Sequence, residues 1–294
     1  MNRPSATQTI PTRIVANGAI RTAFHDVGHD IGYDVGAGDA APFVLVHGFT
    51  GSKLDFRDQL SWFAHGRRVL APDQRGHGET SHARPYRLQQ LVDDLLGFLD
   101  AAGIARCHLL GHSMGGMVAM RFAVEHGARL ESLILMDTSA EPLKMMSAAT
   151  REATNRAVLE QGLPSLVPMF KSAPRSASAL RGIDYLGEEE HWRRIETKLA
   201  QMDPNAFVDI AGELGETPSV LADLAKIRCR TTVLVGVDDV PFVEPSARMA
   251  ATIPNAALVR IDEAAHSPQY ENADAWRNAI EAHLDSSRPS RSRV

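Results

Sequence analysis

Ser113 carries the densest chemical signal in the chain. It stands in Gly111-His112-Ser113-Met114-Gly115-Gly116, after the apolar run Cys107-His108-Leu109-Leu110 and before Val118-Ala119-Met120-Arg121-Phe122-Ala123-Val124. The first flank reads as a strand and the second as a helix. A serine in G-x-S-x-G between a strand and a helix is a nucleophile elbow. The turn is too tight for side chains at its flanks, so glycines occupy them and the hydroxyl is pushed clear of the backbone. A serine hydroxyl alone is a poor nucleophile, so it needs a base in reach and a third group to orient that base.

The elements that would position such a group follow from the apolar pattern. Continuous runs such as Pro42 to Val46, Arg68 to Ala71, Cys107 to Leu110, Ser132 to Met136, Thr232 to Val235 and Leu258 to Ile261 mark strands covered on both faces, as in a parallel sheet. Helical patterns fall between them at Phe56 to Ala64, Leu88 to Ala102, Gly115 to His126, Pro245 to Ala251 and Ala275 to Leu284. Arg21 to Val27 and Ile31 to Val35 read as a hairpin around Gly28-His29-Asp30. Strands alternating with helices predict an α/β fold with a mostly parallel sheet. From about Ser139 to Leu224 the rhythm breaks into amphipathic helical stretches. Asp203-Pro204 and Thr217-Pro218 read as caps with first-turn prolines that start two of them. The expected division is 1–138 as the first part of a core, 139–224 as a helical cap and 225–294 as the rest of the core.

Composition bounds the function class. Of 294 residues 44% are hydrophobic, enough for a sizeable core, and a net charge of −5 argues against a nucleic-acid binder. No apolar run approaches a membrane span, and the polar start Met1 to Pro11 lacks a signal-peptide core. Cys107 and Cys229 read as buried reduced thiols. A cytoplasmic enzyme acting on a small molecule fits, with no nucleic-acid or membrane partner; the oligomeric state is not legible.

The chain resembles the capped branch of the α/β-hydrolase superfamily, which includes carboxylesterases, lactonases and C–C bond hydrolases. The resemblance covers roughly Arg21 to Leu284 and rests on His47-Gly48-Phe49, Asp73-Gln74-Arg75-Gly76-His77-Gly78, the serine elbow, and a late Asp and His in that order. It implies an eight-stranded, mostly parallel sheet with helices on both faces and an inserted all-helical cap. It also implies the order Ser, acid, His. The late histidine is His266, in Glu263-Ala264-Ala265-His266-Ser267-Pro268, matching the family's histidine loop. For the acid, Gly236-Val237-Asp238-Asp239 offers two neighbours, and the family spacing selects Asp239. Asp238 remains an alternative, as does Asp137, whose other reading is a cap on the entry into the inserted helices. The acid would hold His266 in the useful tautomer and stabilise its imidazolium. The backbone N–H groups of Phe49 and Met114 would form the oxyanion hole, and the Phe49 side chain would wall the acyl pocket. His47 and the Asp73-to-Gly78 turn are expected to brace loops, and Glu188-Glu189-Glu190 to be a solvated helix start.

Substrate choice would lie in the inserted helices. Met145, Met146, Met169, Phe170 and Trp192 are the expected pocket residues there, favouring a hydrophobic acyl or lactone group. The arginines Arg175, Arg181, Arg193 and Arg194 look scattered, with no anion clamp. No metal-ligand spacing or phosphate loop stands out, so the machinery is expected to need no cofactor and no metal. The leading expectation is a serine hydrolase of small to medium esters or lactones. A C–C bond hydrolase or menaquinone-pathway-type synthase with the same triad is the alternative, and a hydrolase-fold ligand receptor a further one.

Overall fold

The computed structural model describes residues 10–28, 41–143 and 147–285. Eight strands are present: β1 (Arg13–Asn17), β2 (Ile20–Val27), β3 (Phe43–Val46), β4 (Val69–Pro72), β5 (Cys107–His112), β6 (Leu130–Met136), β7 (Arg230–Gly236) and β8 (Ala256–Ile261). They form one sheet in the order β1-β2-β4-β3-β5-β6-β7-β8. β4, β3 and β5 to β8 run parallel, whereas β1 and β2 extend the β4 edge antiparallel. The mostly parallel α/β sheet expected from the apolar runs is therefore the fold.

The helices among the described residues are α1 (Arg57–Phe63), α2 (Leu88–Ala101), α3 (Met114–His126), α4 (Ala148–Gln161), α5 (Val167–Ser172), α6 (Ala177–Leu186), α7 (Glu188–Ala200), α8 (Pro204–Glu216), α9 (Val240–Thr252), α10 (Pro268–Glu271) and α11 (Ala273–Asp285). Alternation along the buried strands divides the core in two. Val44 and Val46 of β3 pack with Leu91 and Phe98 of α2 and with Met117 and Phe122 of α3. Phe43 and Leu45 point to the other face, with Leu60 of α1 and Trp276 and Ile280 of α11. Helix α2 shows how the pattern works: its buried Leu88, Leu91, Val92, Leu95, Phe98 and Leu99 recur at helical spacing along one stripe.

Between β6 and β7 the described residues hold no strand, and α4 to α8 fill the interval. Asp203 caps α8 by accepting the Asn205 N–H, with Pro204 in the first turn, as its sequence suggests. Thr217-Pro218 does not start a helix. Thr217 closes α8, its N–H donating to Glu213 O, and the proline follows as a stop. Helix α9 begins at Val240, so Pro245 lies inside it rather than at its head. β2 pairs with β1 and β4; the expected partner Ile31 to Val35 lies outside the described residues. No described helix is long and apolar enough to cross a membrane.

Candidate active site

β3 and β5 are neighbours in register, Val46 beside Gly111, so the loops after them meet at the carboxyl edge of the sheet. The strand order turns here: β3 leads to β4 on one side and β5 lies on the other, the crevice where such sheets bind ligands. Ser113 links β5 to α3 at φ 55°, ψ −118°, a backbone conformation that side chains other than glycine's rarely adopt. Its neighbours over-determine that strain. The Ser113 N–H donates to Met136 O at 2.9 Å, and Ser113 O accepts from Gly116 N–H, Met117 N–H and Thr138 Oγ1. A Cβ on Gly111 would run into Gly115 O, and one on Gly115 into Val46 O. The glycines of the motif are thus where α3 crosses close over β5 and β3.

The histidine loop follows β8. His266 Nδ1 stands 2.7 Å from Oδ2 of Asp239, the residue just before α9. The carboxylate side chain is 8% exposed and the imidazole 42%, so the acid is sheltered and the ring reaches toward the cavity. With Nδ1–H donating to the carboxylate, Nε2 keeps its lone pair. The Ser113 hydroxyl makes no hydrogen bond among the described residues, so the last link between hydroxyl and imidazole is open here. Both side chains line one cavity of about 310 Å³, together with Gly48, Phe49 and Thr50. The Phe49 and Met114 amides have no acceptor among the described residues, and Met114 heads α3, where the helix dipole favours negative charge.

The other candidate acids are placed differently. Asp238 takes a hydrogen bond from Ser178 Oγ of α6 and lies 4.0 Å from the Arg181 guanidinium. Asp137 is fully buried at φ 45°, and its Oδ1 accepts the Gly236 N–H at 2.9 Å. Burial, and then the neighbouring Asp239, raise its proton affinity well above a normal carboxyl's. It caps none of the described helices: its Oδ1 is engaged by the N–H at the end of β7. His47 is committed as well: its Nε2 accepts the Gln74 N–H and its Nδ1 donates to Gly48 O, while burial pushes its pKa down to about 4. Asp73 gathers the Lys53 and Glu79 amides and the Lys53 ammonium, and Arg75 forks onto Asp94.

Three groups that sequence reasoning passed over hold the histidine loop. His112, the residue before the elbow serine, donates from Nε2 to His266 O at 2.7 Å, with the two rings 4.8 Å apart. Burial lowers its pKa to about 3, so it stays neutral. Phe242 also lies against the His266 ring, at 5.0 Å between centroids. Glu271 accepts the Ala265 and Ser267 amides on either side of His266. Only His112 had a signal, its place inside the motif.

The cavity wall differs most from expectation. Met145 and Met146 lie outside the described residues. Met169 is half exposed, Phe170 packs against the apolar core, and Trp192 lies under Lys171 and Arg175, so none of the three lines the cavity. Their apolar character serves packing within the inserted helices and at the surface. Instead α7 turns His191, Arg194, Ile195 and Lys198 to the cavity. Glu190 is no solvated helix start: it binds Arg57, Arg193 and Arg194, and Arg193 and then Arg194 hold its carboxyl down to about 2.

Residues 43–279 match the profile of the Alpha/beta hydrolase family. The chain is 27% identical over 252 residues to RutD of Pseudomonas syringae, named as a candidate carbamate hydrolase, covering 84% of this chain and 94% of that one. It is 35% identical over 149 residues to the sn-1-specific diacylglycerol lipase ABHD11 of Danio rerio; the match spans 50% of this chain and 46% of the lipase, less than half its length. A solved thermophilic esterase from Thermogutta terrifontis, with malate bound, superposes with a TM-score of 0.78 at 28% identity over 95% of this chain and 100% of that one. Matched by the family profile over most of its length, the chain belongs to the alpha/beta hydrolase family.

Proposed function

We propose that the protein is a cytoplasmic serine hydrolase that cleaves small to medium carboxylic esters or lactones, with Ser113 as nucleophile, His266 as base and Asp239 as the orienting acid. The observation that carries this reading is the 2.7 Å contact between His266 and Asp239 beside a strained serine elbow on the same cavity. In the reaction the Ser113 hydroxyl attacks the carbonyl carbon while His266 Nε2 takes its proton. The carbonyl oxygen becomes an alkoxide and is met by the Phe49 and Met114 amides, which have no acceptor among the described residues. Collapse expels the alcohol, protonated by the imidazolium, and leaves an ester on Ser113. Water, deprotonated by the same imidazole, then releases the acid.

A cavity of about 310 Å³ sits at the small end of ligand pockets, which supports a compact substrate. The stretch 139–224 would act as the cap that chooses it, since α6 and α7 supply the wall opposite the loops after β3. The test is a panel of 4-nitrophenyl esters of increasing acyl length and lactones of increasing ring size, run beside Ser113→Ala. Turnover with a length optimum is expected in the wild type, and a loss of about ten-thousand-fold in the variant. Turnover that survives in Ser113→Ala would remove the serine from the reaction.

A further inference from the structure

The inserted helices give the Ser113 cavity a charged wall, and its two cations are not equivalent. His191, Arg194, Ile195 and Lys198 recur at the spacing of a single helix face, and α6 opposes them with the small residues Ala179 and Gly182. Arg194 is saturated: it forks onto Asp58, reaches Glu190 through Nε and touches the Tyr270 hydroxyl. Lys198 is not. Its ammonium meets only Asp55 Oδ1, at 2.6 Å, while the other oxygen of Asp55 takes the Ser52 N–H. Two of its three N–H directions have no acceptor among the described residues.

A second group in the same wall is unsatisfied. Gln269 is 1% exposed, and its amide oxygen is buried without a partner. Its amide nitrogen makes no hydrogen bond among the described residues either. Because oxygen and nitrogen can exchange places by rotation of the amide, this lining side chain can turn its N–H donors to a ligand in the cavity. An apolar acyl chain laid here would strip water from the ammonium and the amide and give nothing back. A carboxylate would accept from both, in charge-assisted bonds. Local charge agrees: Arg57, Arg193, Arg194 and Lys198 face Asp55, Asp58 and Glu190 in this cluster, leaving one positive charge over. Glu271, the other carboxyl of the lining, is turned to the Ala265 and Ser267 amides.

We infer that the substrate of this site carries a carboxylate besides its ester or lactone carbonyl, held by Lys198 and Gln269 while that carbonyl lies at Ser113. The inference rests on the hydrolase reading for the carbonyl end only, so the two can fail separately. The test titrates succinate, glutarate and adipate calorimetrically into the wild-type protein, each against the monocarboxylate of equal chain length. No turnover is needed. At least one dicarboxylate is expected to bind about tenfold more tightly than its monocarboxylate. Lys198→Met is expected to abolish that ratio and Lys198→Arg to keep most of it; Gln269→Leu, which leaves every ion pair in place, is expected to lower it. Equal affinities across all three pairs in the wild type, or an unchanged ratio in Lys198→Met and Gln269→Leu, would overturn the inference. A preserved ratio in a protein that cleaves no ester would overturn the hydrolase reading and leave the carboxylate site standing.

Discussion

Asp238 and Asp239 are chain neighbours with opposite surroundings, and that contrast decides their chemistry. Asp239 is sheltered and directed at the imidazole, whereas Asp238 is half exposed and bound to the inserted helix α6. Asp239→Asn should lower kcat by about ten-thousand-fold, since an amide at that position favours the wrong imidazole tautomer. Asp238→Asn should change it by less than about threefold, because a partly exposed ion pair contributes little. Asp137→Asn should stay close to wild type, because the amide oxygen can still accept the Gly236 N–H. Steady-state kinetics on the three purified variants orders them. A larger loss in Asp238→Asn than in Asp239→Asn would reassign the acid.

Helix α3 owes its position to glycines, and the elbow depends on that position. A methyl group at Gly115 would meet the carbonyl oxygens of Val46 and His47, backbone atoms that cannot step aside. Gly115→Ala should therefore cost about 3 kcal/mol, in the range of overpacked cores, and should lower activity with it. Gly127, at the other end of the same helix, has nothing within 4 Å and a helical φ of −54°, so Gly127→Ala should be near neutral. Urea midpoints compare the two; equal midpoints would mean that the close approach is not real. The same elements show what the sequence makes legible. The buried parallel strands could be read because runs such as Phe43–Val46 are apolar on both faces. β1 could not, because Arg13–Asn17 alternates half-buried and exposed residues at the sheet edge. Ser113 stands out in the sequence because its sharp turn demands glycine neighbours, whereas His266 and the 236–239 turn stand out only through the resemblance to the family's histidine loop and acid spacing. The cavity wall was not. The α7 face carries a helical period, but its members are polar, and a search for apolar pocket residues finds Met169, Phe170 and Trp192 instead.

Among the described residues, folding takes many imidazoles out of water. His25, His47, His77, His108, His112 and His283 are each at most 6% exposed, and burial lowers their pKa values from 6.5 to about 3 or 4. Between those values the unfolded chain binds more protons than the folded one, so stability rises with pH. The contribution is complete above 6.5 and is lost as pH falls toward the folded-state values, by about 1.4 kcal/mol per ring per pH unit. Asp137 and Glu271, whose proton affinities are raised, run the other way and offset part of it. The urea midpoint should therefore fall steeply between about pH 7 and about pH 5. A flat or rising midpoint over that interval would show that these rings are not buried neutral.

The central claim concerns one oxygen atom. A fluorophosphonate reacts with an activated serine and leaves a phosphonyl group on it, which peptide mass spectrometry can place. A single modified peptide containing Ser113 is expected, with labelling slowed by orders of magnitude in His266→Ala. Folded wild-type protein that takes up no label, or takes it up at another residue, would contradict it.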